Sequence, residues 1–317
     1  MPTPATSMDG PSTDSFAIEQ LVPRLFAVKH WRLAMGLQPL LLEDWIELGP
    51  DWAEQLQQKD ELLTQRYSEV FASLPGSEAA QQEVLDLLVT HLLQYFPQHY
   101  QQQDDWLINI STGQRWCCSE FADQPLDLAG RLVQEDLCLL LPSEAGYQLA
   151  AASVCFPSRW SMPEKLGRPV AEIHQPVPGY DRKLARPVNQ VFQRLQPAYP
   201  GYRFNWSIVD SPALFLSPTI HSTENSALIH PTITAQNAGE QLWLRIERQT
   251  LRRLSASDGI LFTIRTSIYP LIEIVAYPTV AGNLAAILRQ MPSEMQQYKS
   301  ILPFRDVLLN YLESIGS

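Results

Sequence analysis

The stretch from Gln241 to Tyr269 constrains the fold more than any other. Its two ends alternate at a period of two. Leu242, Leu244 and Ile246 point one way, and Trp243, Arg245, Glu247 and Gln249 point the other. Ser257-Asp258-Gly259 is a turn signal, and ILFTIRTSI returns the chain. Alternation of this kind, bounded by a Gly-containing turn, predicts a long antiparallel hairpin. A helix over RQTLRRL is the local alternative, since its residues are good helix formers. The polar face carries Arg245, Glu247, Gln249 and Arg253, with Arg265 near it on the return strand. Such a face is either a solvated surface laced with weak ion pairs or a cavity wall. In a cavity, arginines hold anionic oxygens and Glu247 handles protons.

The second constraint is the segment Cys155 to Tyr180, which holds Pro157, Pro163, Pro169, Pro176 and Pro178. Prolines at this density exclude a long helix and a central strand. The segment therefore reads as a fixed irregular wall. His174 lies between a strand-like start (Val170, Ile173) and the prolines Pro176 and Pro178. Backbone stiffened on both sides suits a ligand to a metal or cofactor; a hydrogen-bonded loop histidine is the plainer alternative. Arg159, Trp160 and Lys165 make the same wall aromatic and cationic.

Around these stretches the chain reads in order as helices, then sheet. Asp51 is placed to cap a helix running to Leu74, and Ser77 starts another that ends at Pro97. His91 lies on the apolar stripe of that second helix and reads as a core residue. Trp106 to Ile110 reads as a strand, Leu126 to Leu140 as a helix, and Tyr147 to Phe156 as a buried strand. Lys183 to Leu195 reads as a helix, Phe204 to Val209 and Leu214 to Leu216 as short strands, and Ala281 to Gln290 and Phe304 to Ile315 as closing helices. The expected class is α+β: a helical N-terminal region, then a mostly antiparallel sheet flanked by helices. One domain over residues 16–317 follows a polar tail at 1–15. That tail lacks the cationic start and apolar core of a secretory signal.

Net charge of −11 argues against a nucleic-acid partner. No apolar run approaches the roughly 20 residues of a membrane helix. The cysteines (Cys117, Cys118, Cys138, Cys155) lack zinc or iron–sulfur spacing, which favours reduced thiols and a cytoplasmic setting. No Walker loop, GxGxxG, HExxH or GxSxG occurs, and 14 glycines leave little for a dinucleotide cradle. The remaining chemistry lies in His174, His221, His230, Glu247 and the cationic wall.

From Phe16 onward the chain resembles the alpha-subunit family of haem-dependent oxidative N-demethylases. The resemblance rests on MGLQPL from Met35, RWSMPEKLGRPVAEIHQPVPGY from Arg159, FNWSI from Phe204, LRIERQTLRRL from Leu244 and FTIRTSIYPL from Phe262. Ser255 departs from the family, which usually has proline there. The resemblance implies a PAS-like fold binding haem b. It implies oxidation of a small secondary methylamine such as dimethylamine with O2, releasing formaldehyde. Electrons would come from reductase subunits carrying flavin and an iron–sulfur centre. His174 is the first choice for the iron ligand, with His221 and His230 in reserve. Glu247 would balance an alkylammonium charge or relay protons. Arg245, Arg253, Arg265, Arg159 and Lys165 are candidates for the haem propionates, and Trp160 and Tyr180 for packing against the macrocycle. Two other readings remain open at this stage: a haem sensor or electron carrier that turns nothing over, and an interaction protein without cofactor.

Overall fold

The computed structural model describes residues 18–217 and 233–316. The tail at 1–15 and the reserve histidines His221 and His230 lie outside them. Seven strands form one antiparallel sheet in the order β1-β8-β9-β10-β6-β7-β2. They are β1 Gln38–Pro39, β2 Phe71–Ser73, β6 Asp136–Ser143, β7 Gly146–Ser153, β8 Gly201–Val209, β9 Trp243–Arg253 and β10 Ile260–Pro270. A second sheet joins β3 Tyr100–Gln103, β4 Trp106–Asn109 and β5 Arg115–Cys117. The mixture is α+β, as the sequence predicts.

The predicted hairpin is the centre of the large sheet. β9 and β10 pair from Trp243↔Pro270 to Arg253↔Ile260, and the amide of Leu254 donates to the Gly259 carbonyl at 2.8 Å to close the turn. Both strands have a strand on each side, so every side chain must leave through one of two faces. One face carries Leu244, Ile246, Arg248, Thr250 and Arg252. Register places Arg265 opposite Arg248 and Thr263 opposite Thr250, whose hydroxyls meet at 2.7 Å. The helices Trp52–Gln65, Glu78–Tyr95 and Pro125–Leu132 bury the middle of this face through Leu63, Val84, Leu88 and Leu126. The helices Pro278–Gln290 and Arg305–Gly316 bury its end at Leu244 and Ile246.

The other face carries Arg245, Glu247, Gln249, Leu251 and Arg253. The proline-rich segment and the helix Ala185–Arg194 cover part of it, with Met162, Val170 and Phe192 packed on Cys138, Leu251 and Ile260. Within the segment the longest regular pieces are single turns, Pro163–Lys165 and Val170–Ile173. The irregular wall is therefore present, but Val170 and Ile173 belong to a helical turn rather than a strand.

Three other expectations need correction. The helix starting at Trp52 ends at Gln65, where Arg66 leaves helical geometry, and Phe71–Ser73 becomes the edge strand β2. Asp51 makes no side-chain cap; its carboxylate accepts from Arg265 at 3.1 Å and Gln134 at 3.2 Å instead. The helix predicted over Leu126 to Leu140 stops at Leu132, and β6 begins at Asp136.

Candidate functional site

The cleft face of the sheet is incompletely covered. Glu247, Gln249, Phe262 and Ile264 lie on the two central strands yet are only partly buried. Arg203 and Asn205 beside them on β8 are partly buried too. Residues in mid-sheet stay open to solvent only where the cover above them is incomplete, so part of this face is accessible to a ligand. The partly buried Phe262, Trp160 and Ile173 pack beside it on the core of Cys138, Val170 and Leu251.

Glu247 is the carboxylate at its floor, with a side chain 14% exposed. Gln249 Nε2 and Asn205 Nδ2 donate to its Oε2 at 2.9 and 3.2 Å, and Arg245 Nε stands 3.7 Å from its Oε1. Asn205 is held in turn, because its Oδ1 accepts from Lys299 Nζ at 3.1 Å. Lys299 also donates to the Trp206 carbonyl. β1 pairs with β8 only at Gly201 and Tyr202, so Trp206 lies beyond that pairing. Burial pushes the Lys299 ammonium down to about 8, against the attraction of Glu247 and with the repulsion of Arg203. Folding thus lowers this pKa, and the charge is a cost at neutral pH. Stability should rise as pH climbs from about 8 toward the ordinary lysine value of ~10.4. An NMR titration of the Lys299 side chain should show a midpoint near 8; a midpoint at the ordinary value would refute this burial.

His174 ends the turn Val170–Ile173, which follows Pro169. Its Nδ1 lies 2.8 Å from the Val170 carbonyl. A carbonyl can only accept, so Nδ1 carries the proton and the Nε2 lone pair is free. The ring stacks on buried Tyr180 with centroids 5.1 Å apart and planes 14° apart. Gly179, at φ 79°, turns the backbone into Tyr180. His174 is exposed. Burial lowers its pKa, the Val170 carbonyl opposes this, and Lys165 and Arg203 add to it. The imidazole is therefore neutral near pH 7, the form that ligates a metal.

The other predicted residues divide. Lys165 stands over Trp160, 5.3 Å from the ring centroid, and burial lowers its pKa. Arg245 is fully buried and donates to the carbonyls of Phe156 at 2.6 Å and Leu214 at 3.0 Å. It fastens the wall to the sheet and faces Glu247 with Nε alone. Arg253 ties the Ala185–Arg194 helix to the hairpin turn through the Leu195 carbonyl at 2.6 Å, the Phe192 carbonyl and Asp258. Arg159, at φ 61°, pairs with Asp210. Arg265 lies on the opposite face, 3% exposed and bonded to Gln55 at 2.8 Å and Asp51. The expectation that it shares the Glu247 face fails because register pairs it with Arg248.

Sequence reasoning missed Arg203, Asn205, Tyr298 and Lys299. The alternation of β8 held the signal for the first two, since register sets Asn205 opposite Glu247 and Arg203 opposite Gln249. Tyr298 and Lys299 come from a distant helix and carry no local signal. Electrostatics joins the set: Arg203 feels Glu247 and Tyr298, and His174 feels Arg203. A separate depression of about 430 Å³, lined by Arg289, Met291 and Arg305 among others, holds none of the predicted residues. Among the described residues no three His, Cys, Asp or Glu side chains gather as a metal cage. A haem iron asks for one such ligand, not three.

An α+β scaffold with an open stretch of sheet, a neutral imidazole on the wall that covers part of it and a fixed carboxylate beneath has the elements of a ligand-binding site. The family described as haem-dependent oxidative N-demethylase, alpha subunit-like, matches residues 36–309. The chain belongs to that family, and the family is haem-dependent and oxidative. Its designation as an alpha subunit points to further subunits.

Proposed function

We propose that the chain binds haem b in this cleft and demethylates a small secondary methylamine such as dimethylamine. The observation that carries the reading is the His174 hydrogen bond to Val170, which leaves Nε2 free at the cleft wall. The residue types suit the cofactor: the partly buried Phe262, Trp160 and Ile173 would offer apolar surface to a macrocycle, and Lys165 and Arg203 would offer cations to its propionates. The order of the long strands, β8-β9-β10-β6-β7, supports a PAS-like reading of the sheet. No helix among the described residues is long and apolar enough to cross a membrane.

Haem, when bound, supplies O2 activation and oxygen insertion at an N-methyl carbon, with electrons from partner subunits carrying flavin and an iron–sulfur centre. The chain's own residues do the rest. His174 fixes the cofactor, its ring held by Val170 and Tyr180. Glu247, kept in place by Asn205 and Gln249, pairs with the alkylammonium and orients its methyl group. It can also take the hydroxyl proton of the N-hydroxymethyl amine and return it to the nitrogen as the C–N bond breaks, giving formaldehyde and the shorter amine.

Glu247→Gln should lower kcat/KM for methylamine-dependent formaldehyde release on the order of 10²-fold or more while leaving the haem spectrum intact. Unchanged turnover would remove Glu247 from the mechanism. A haem-loaded wild type that released no formaldehyde from any methylamine, with reductase supplied, would point to a sensor or electron carrier instead.

A further inference from the structure

We propose that Arg203 anchors a carboxylate of whatever ligand enters this cleft. The inference rests on the haem-protein reading above. Arg203 leaves β8 on the cleft face, opposite Gln249 and one step along from the Asn205–Glu247 pair. Its Nε is buried without a hydrogen-bond partner. A buried guanidinium N–H without an acceptor is costly, and the planar fork matches a carboxylate with two parallel bonds.

The nearby anion does not fill this need. Glu247 attracts Arg203 across space, but its Oε2 is bonded by Asn205 and Gln249 and its Oε1 faces Arg245. The other groups that interact with Arg203 are cationic or neutral: Lys299, His174 and Tyr298. The surroundings thus hold more positive than negative charge, and the unfilled valence at Arg203 calls for an anion from outside the chain. The family's bare alkylammonium cannot meet it. Two ligands carry the right group: a porphyrin through its propionates, or an amine substrate that bears its own carboxylate, such as an N-methylated amino acid.

Titrations of the haem-free full chain with haemin and with haemin dimethyl ester separate these sources. If Arg203 holds a propionate, Arg203→Met should weaken haemin binding about ten- to hundredfold and leave ester binding as in the wild type. If it holds a substrate carboxylate, haemin binding is unchanged. The haem-loaded variant then loses affinity for N-methylglycine by a similar factor, read from the Soret shift, and keeps its affinity for dimethylamine. Arg203→Lys keeps the charge without the fork, should give a smaller loss, and replaces the methionine variant if that does not fold. Wild-type affinity of the variants for all four ligands would overturn the proposal. A wild type that takes up no haemin would overturn the haem reading, and this inference with it.

Discussion

Replacing His174 with alanine should abolish or strongly weaken the haem spectrum while leaving the fold in place. The fold should survive because the side chain is exposed and its one bond, to Val170, is local. The loss should be large because the other described histidines have partners elsewhere, His30 beside Gln290 among them. His91 is buried against Trp45 in the helical layer, with its pKa driven down to about 3 by burial. His99 packs on Trp52. Added imidazole should restore part of the spectrum by filling the vacated space, an outcome a merely structural histidine would not give. A normal five-coordinate histidine spectrum in the variant would move the ligand elsewhere, and His221 and His230 would become the candidates.

Lys59→Met should cost about 3–5 kcal/mol of stability, far more than loss of a surface lysine. Lys59 and Asp136 are 0% and 1% exposed, with Nζ 3.8 Å from Oδ1. Nζ also donates to the carbonyls of Val133, at 2.9 Å, and Glu135. Asp136 in turn accepts from the amides of Cys155 at 2.8 Å and Phe156 at 2.9 Å, where the proline-rich wall begins. Removing the ammonium leaves a buried carboxylate and two carbonyls without their donor. Burial already raises the Asp136 carboxyl to about 6, with Lys59 as the chief opposing influence. Its contribution to stability is therefore greatest below its unfolded value and lost as pH rises through about 6. The deficit of Lys59→Met, measured by urea unfolding, should accordingly be smaller at pH 5 than at pH 7, since a protonated Asp136 needs no cation. A deficit under about 1 kcal/mol at both pH values would contradict this account.

Much of the fold is legible because the central hairpin alternates along most of its length, with Ser257-Asp258-Gly259 at its tip. β6 was hidden for the opposite reason. Its run DLCLLL is apolar on both sides, since helices cover one face and the proline-rich wall the other, and such a run lacks the period that separates strand from helix. The Trp52 helix is overestimated because its apolar positions continue past Arg66 while the backbone turns to supply β2. Within the site, His174 and Glu247 stand out through prolines and strand period. Arg265 was misplaced because a turn of uncertain length leaves the register of a hairpin free by one residue, and one residue exchanges the faces. Lys299 is 52 positions from Glu247 in sequence and reaches it through Asn205, a link only tertiary structure makes.

The most direct test of the central claim is the absorption spectrum of the purified wild-type chain from haem-supplied cells, oxidised and then reduced with dithionite. A Soret band that shifts on reduction to the form of a histidine-ligated haem is the predicted result. Absorbance no different from that of free haemin would contradict it.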